Sequence, residues 1–167
     1  SNSEKLIHNK MKIICVGRNY ASHIQELDNE KPDDPVLFIK PNTSIIPRNQ
    51  PFVIPDFSDD IHYEVELLIK ISKNGKFVEH QFAKNYYQEI GLGIDFTARD
   101  LQTKLKKAGL PWEKAKAFDR SACIGQKWLS VEEFDVNNTH FSLQLNDQAV
   151  QSDTTAKMLW KADELIT

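Results

Sequence analysis

The segment His62-Tyr63-Glu64-Val65-Glu66-Leu67 sets two carboxylates two residues apart. On an extended strand that spacing puts Glu64 and Glu66 on one side, with Tyr63, Val65 and Leu67 on the other. Neighbouring carboxylates repel, and burying them is costly unless a cation shares the space. The plain reading is a solvated polar face on an edge strand. Asp95 argues against it, because it closes the apolar run Ile90 to Ile94 and is badly placed for a bland role. Three carboxylates without His or Cys partners describe a hard-cation site, Mg²⁺ or Mn²⁺ first and Ca²⁺ possible.

A second pair is His23 and Glu26, three apart and so on one face of a helix. A carboxylate beside an imidazole orients it and raises its basicity, as a water-activating base requires. An ordinary exposed polar pair would read the same way locally. Arg18, Lys40, Arg99, Gln102 and Lys116 lie near these motifs. Each could grip a substrate carboxylate or be a plain surface residue.

Several elements must position these side chains. Met11 to Val16 reads as a buried strand ending at Gly17, and Asn19 to Leu27 as a helix capped by Asn19 or Ser22. Val36 to Lys40 is the next strand. Pro41, Pro47, Pro51 and Pro55 then rule out a central strand or a helix. His62 to Ser72 and Ile90 to Phe96 read as strands, with a hairpin turn expected at Asn74-Gly75. Thr97 to Ala108 is expected as a helix capped by Thr97, with lysines in its last turn and a stop at Gly109-Leu110-Pro111. Phe141 to Leu145 reads as a strand and Met158 to Ile166 as a final helix. Many short strands with few helices imply a mainly β fold with α additions.

The 167 residues suit one domain over residues 11–167, with residues 1–10 a tag or an N-terminal extension before Met11. A net charge of −3 gives no general attraction for polyanions. The cluster Lys104, Lys106, Lys107, Lys114 and Lys116 reads as a solvated face, so no nucleic-acid partner is expected. No apolar run is long enough to span a bilayer, and no membrane partner is expected either. Cys15 and Cys123 lack CxxC spacing and sit among apolar neighbours, which suggests reduced core thiols in a cytoplasmic protein.

Taken in order, these segments resemble the fumarylacetoacetate hydrolase family. Gly17-Arg18-Asn19-Tyr20-Ala21 followed by His23 and Glu26 is similar to the lid motif of its smaller members. Phe38-Ile39-Lys40-Pro41 matches the next segment, and Tyr63-Glu64-Val65-Glu66-Leu67 looks like its Glu-x-Glu metal strand. Gly93-Ile94-Asp95-Phe96-Thr97-Ala98-Arg99-Asp100-Leu101-Gln102 resembles the block carrying the third ligand. Trp112 with Lys116-Ala117-Phe118-Asp119, then Asn146, Gln151, Thr155 and Met158, follow the later pattern; Asp147 and Asp153 stand where Gly is common.

The resemblance implies a core of rolled mixed β-sheets and a homodimer. It implies Glu64, Glu66 and Asp95 as ligands of Mg²⁺ or Mn²⁺, and His23, Glu26 and Lys116 as catalytic residues. Arg18, Tyr20, Lys40, Arg99 and Gln102 would bind substrate. The family pattern runs on through further Gly-Asp and Thr-Gly-Thr-Pro segments, so its C-terminal part is expected to be missing here. The branch resembled most is that of acylpyruvases and oxaloacetate decarboxylases. The implied reaction is metal-dependent C3–C4 cleavage of a small 2-oxo acid through a pyruvate enolate. The alternatives are an isomerase or hydratase of aromatic catabolism, acting on a heptadiene diacid, and an inactive binding domain of the same fold.

Overall fold

The computed structural model describes residues 11–20 and 33–167, and the chain divides into two compact units. The first takes the chain up to Val16 with Leu37–Glu64 and Gly93–Ile124; the second takes Gly17–Val36, Val65–Leu92 and Gly125–Thr167. Two long neighbouring strands, β3 (Ile61–Ile71) and β4 (Tyr87–Ala98), run through both. Strands dominate and helices are short, the mainly β architecture with α additions that the residue pattern implies.

In the first unit, β1 (Ile13–Gly17) and β2 (Val36–Lys40) pair as a two-stranded sheet where the apolar runs predict strands. β5 (Ala122–Ile124) lies antiparallel to the end of β4, with Gly93 opposite Ile124 and Asp95 opposite Ala122. The proline-punctuated stretch forms only a 3-10 turn, Asn42–Ser44, and a parallel bridge from Ile45 to Ala122. Its aromatic residues still anchor it: the ring of Phe52 stacks on Phe96 with centroids 3.8 Å apart. Two helices follow β4, α1 (Arg99–Lys107) and α2 (Glu113–Lys116).

The helix expected over Thr97–Ala108 loses its cap. Ala98 holds the N-cap position with no side-chain bond, and Thr97 belongs to β4. Its hydroxyl is engaged by a buried lysine, which needs the acceptor more than a helix end with backbone N–H groups near water does. The stop is as predicted: Gly109, at φ 64, donates its N–H to Lys106 O.

In the second unit, β6 (Leu129–Ser130) pairs antiparallel with the start of β4, and β7 (His140–Leu145) pairs with β8 (Gln148–Thr154). Tyr87, Ile90, Val136 and Ala162 form its buried core, with Leu67, Ile69, Leu129, Val131 and Ile166 packed against them. The last helix, α3 (Ala162–Ile166), is shorter than expected, because Thr155–Lys157 forms a separate 3-10 turn and Met158 is buried in extended backbone. Asn74-Gly75 makes no hairpin. A 3-10 helix, His80–Tyr86, intervenes before β4. A Cβ at Gly75 would collide with the Tyr86 ring, so the glycine serves a close approach instead of a turn. The two-residue turn lies at Asn146-Asp147, with φ of 50 and 63.

Candidate active site

Asp95 and Thr97 lie two apart on β4 and so share a side of the strand. Both are buried, and between them they receive the ammonium of Lys116. Lys116 sits at the end of α2, a single turn started by Trp112, whose carbonyl accepts from the Ala115 and Lys116 N–H groups. Its Nζ donates to Asp95 Oδ2 at 2.8 Å, Glu64 Oε2 at 2.7 Å and Thr97 Oγ1 at 2.6 Å. All three ammonium protons are therefore matched by oxygens, and the Phe38 ring lies 5.4 Å away on one flank.

Glu64 is held from its other oxygen by Arg99 Nη2, the first residue of α1, while Arg99 Nη1 donates to Gln102 Oε1 at 2.6 Å. The acid is thus clamped between two cations. Burial alone would raise its pKa, but Lys116 first and Arg99 second carry it down to about 2. The reciprocal effect acts on Lys116: burial opposes its charge, yet Asp95 and Glu64 hold the ammonium above its ordinary value. Lys116 is accordingly a permanent cation, 4% exposed, in a pocket of acids.

Lys40, at the end of β2, is buried more deeply still, at 1% exposure. Its Nζ donates to Ser121 O and Ser121 Oγ, both at 3.0 Å, and to Lys116 O. It also lies 2.8 Å from Asp95 Oδ1. Burial lowers its pKa, with Asp95 opposing and the Lys116 charge reinforcing that shift. The two lysines thus take one oxygen of Asp95 each, Lys40 facing Oδ1 and Lys116 bonded to Oδ2.

Four of the residues expected to bind substrate or do chemistry, Lys40, Arg99, Gln102 and Lys116, therefore converge in the first unit with two of the expected metal ligands, Glu64 and Asp95. Glu66, Arg18 and Tyr20 belong to the second unit. There the Tyr20 hydroxyl is buried without a hydrogen-bond partner, and burial, then Glu66, then Asp153 push its pKa up. Tyr20 bridges Met158, and the Asn19 side chain accepts from Trp160 N at 2.8 Å and donates to Trp160 O at 3.1 Å, while the helix expected over Asn19 to Leu27 falls mostly outside the described residues. His23, Glu26 and Ser22 lie outside the described residues.

Two contributors escaped the sequence reading. Thr97 was legible in principle, since it follows Asp95 by two on a strand. Ser121 carries no such signal; it is brought to Lys40 by the turn from α2 into β5, where Ser121 N bonds Phe118 O.

Among the described residues, no group of three or more His, Cys, Asp or Glu side chains lies close enough together to hold a metal ion. The unit gathers two acids, Glu64 and Asp95, on one lysine. The chemistry of these donors, buried carboxylate oxygens alone, fits a hard divalent cation.

The family model described as fumarylacetoacetate (FAA) hydrolase C-terminal matches residues 12–167. The chain belongs to the fumarylacetoacetate hydrolase family. The oxaloacetate tautomerase YcgM of Escherichia coli is 43% identical over 157 residues, spanning 93% of this chain and 71% of that protein. The crystal structure of fumarylpyruvate hydrolase from Pseudomonas aeruginosa, in complex with Mn²⁺ and pyruvate, superposes with a TM-score of 0.84 at 30% identity, covering 93% of this chain and 69% of that one. A 5-carboxymethyl-2-hydroxymuconate delta-isomerase from Mycobacterium smegmatis gives a TM-score of 0.76 at 35% identity, covering 93% and 59%. These relatives are enzymes of the family. No described helix is long and apolar enough to cross a membrane.

Proposed function

We propose that this chain converts a small 2-oxo diacid of the oxaloacetate type between its keto and enol forms, through an enolate stabilised at Lys116. The observation that carries this reading is the Lys116 ammonium, kept charged in a buried pocket by Glu64 and Asp95. A fixed cation in a dry site stabilises charge that develops on a carbonyl oxygen without having to reorganise. The 43% identity to an oxaloacetate tautomerase supports the substrate class.

The steps balance as a proton transfer. A proton leaves C3, its electron pair moves into the C2–C3 bond, and the C2 oxygen gains charge facing Lys116. Protonation of that oxygen gives the enol. Lys116 does not act as the base, because its acidic neighbours hold its proton. The resemblance implies His23 and Glu26 as a catalytic pair, and we assign the base for this proton to His23. Arg99, oriented through Gln102, offers a guanidinium edge suited to a substrate carboxylate. Glu64 and Asp95 would hold a Mg²⁺ or Mn²⁺ ion, with Glu66 added by the resemblance; such an ion supplies Lewis-acid polarisation of a 2-oxo acid's oxygens.

Cleavage of the C3–C4 bond, by decarboxylation or acylpyruvate hydrolysis, is the second reading. It passes through the same enolate, and the likeness to a fumarylpyruvate hydrolase favours it. The test is to give the purified chain, with Mg²⁺ or Mn²⁺, enol-enriched oxaloacetate and acetylpyruvate, and to follow enol absorbance and pyruvate separately. Fast loss of enol without pyruvate supports tautomerisation. Pyruvate formed at the enzyme-dependent rate supports cleavage. Neither above the metal-only background would overturn both.

A further inference from the structure

Val65 lies between the two glutamates of β3, and its backbone N–H has an unusual partner. It donates to the side-chain oxygen Oε1 of Gln151 at 2.8 Å. β3 closes its sheet on one side, with β4 as its neighbour on the other. An N–H on the open side of such a strand finds no ladder carbonyl and must be met by water or a side chain. Gln151 meets it from β8, in the same unit as Val65 and Glu66.

The hairpin is built to aim that side chain. Leu143 pairs with Gln151 but Gln144 pairs with Ala149, which leaves Val150 as an extra residue on β8. A bulge of this kind resets which way the following side chains point. Ala149 and Val150 are exposed, whereas Gln151 just beyond the bulge is half-buried.

We infer that Gln151 is a positioning residue for the acidic strand: by holding the Val65 amide, it fixes the backbone from which Glu64 and Glu66 project. The inference rests on the proposed role of these acids toward a divalent cation. A cation site requires its carboxylates to be preset, because each ligand that must be ordered on binding costs affinity. The amide of Gln151 meets the backbone of the strand, so its effect is felt through the strand.

The measurement is calorimetric titration of the full chain with Mn²⁺ alone, beside thermal unfolding without metal. Gln151→Met fills the same space without an acceptor, and should weaken Mn²⁺ binding by about tenfold or more. Gln151→Glu keeps an acceptor oxygen in place, and should stay within about threefold of the parent. Gln151→Asn draws the acceptor back by one methylene and should behave like Gln151→Met, so it carries the same arm if that variant does not fold. Parent-like affinity in the variants lacking the acceptor would overturn the inference, as would equal losses in Gln151→Glu and Gln151→Met. Asp95→Asn separates the two levels. If it leaves Mn²⁺ affinity unchanged, the cation reading of the acids fails; if it weakens binding while Gln151→Met does not, only the role of Gln151 fails.

Discussion

Thr97 Oγ1 accepts a hydrogen bond from Lys116 Nζ at 2.6 Å, joining the end of β4 to a one-turn helix 19 residues further along the chain. The hydroxyl completes the ammonium's coordination in a place where no water need enter. Thr97→Val should therefore leave the shape of the pocket and remove one acceptor from a buried cation. We expect a loss of about 1–3 kcal/mol in stability and a fall in turnover, with Thr97→Ser close to the parent in both. Chemical denaturation and steady-state kinetics on the two variants check this.

The pH dependence follows from the clamp on Glu64. Its pKa falls from the ordinary value of 4.5 to about 2 in the folded chain. A depressed carboxylate contributes stability that is present above its unfolded pKa and lost as pH drops toward its folded one. Unfolding free energy should thus decline between about pH 4.5 and pH 2. Glu64→Gln should flatten that limb, and denaturation curves across the range would show it. Lys116 has the opposite sign: its raised pKa stabilises the fold below the ordinary lysine value and ceases to do so as pH climbs past the raised one.

The β7–β8 turn offers a test free of the active site. Asp147 adopts a φ of 63, a left-handed conformation in which a side chain is strained and glycine is not. Asp147→Gly should stabilise the chain by about 0.5–1 kcal/mol with turnover unchanged. Thermal unfolding measures the first and the oxaloacetate assay the second.

Much of this organisation is legible in the residues. The apolar runs placed β1, β2 and the centre of β4 because a buried strand leaves a contiguous apolar segment. Asp95 stood out because it ends such a run. A local rule failed where a tertiary partner outbid it: Thr97 looks like a cap until Lys116 takes its hydroxyl. Asn74-Gly75 has the composition of a hairpin turn, but Tyr86 occupies the space above Gly75. β5 and β6 are too short to carry a periodicity of their own. The clamp of Arg99 and Lys116 on Glu64 lies beyond pattern reading altogether, since it joins residues 35 and 52 positions apart.

Lys116 is the centre of the proposed chemistry, and Lys116→Met probes it most directly. The substitution keeps an unbranched side chain one atom shorter and removes its charge, while Glu64 retains Arg99. Steady-state keto–enol conversion of oxaloacetate should be measured at saturating substrate and saturating Mn²⁺. An ammonium whose charge matters most as the enolate forms should lower kcat by on the order of 10²–10³ and leave KM within a few-fold. A raised KM with kcat intact, or no change in either, would contradict enolate stabilisation by Lys116.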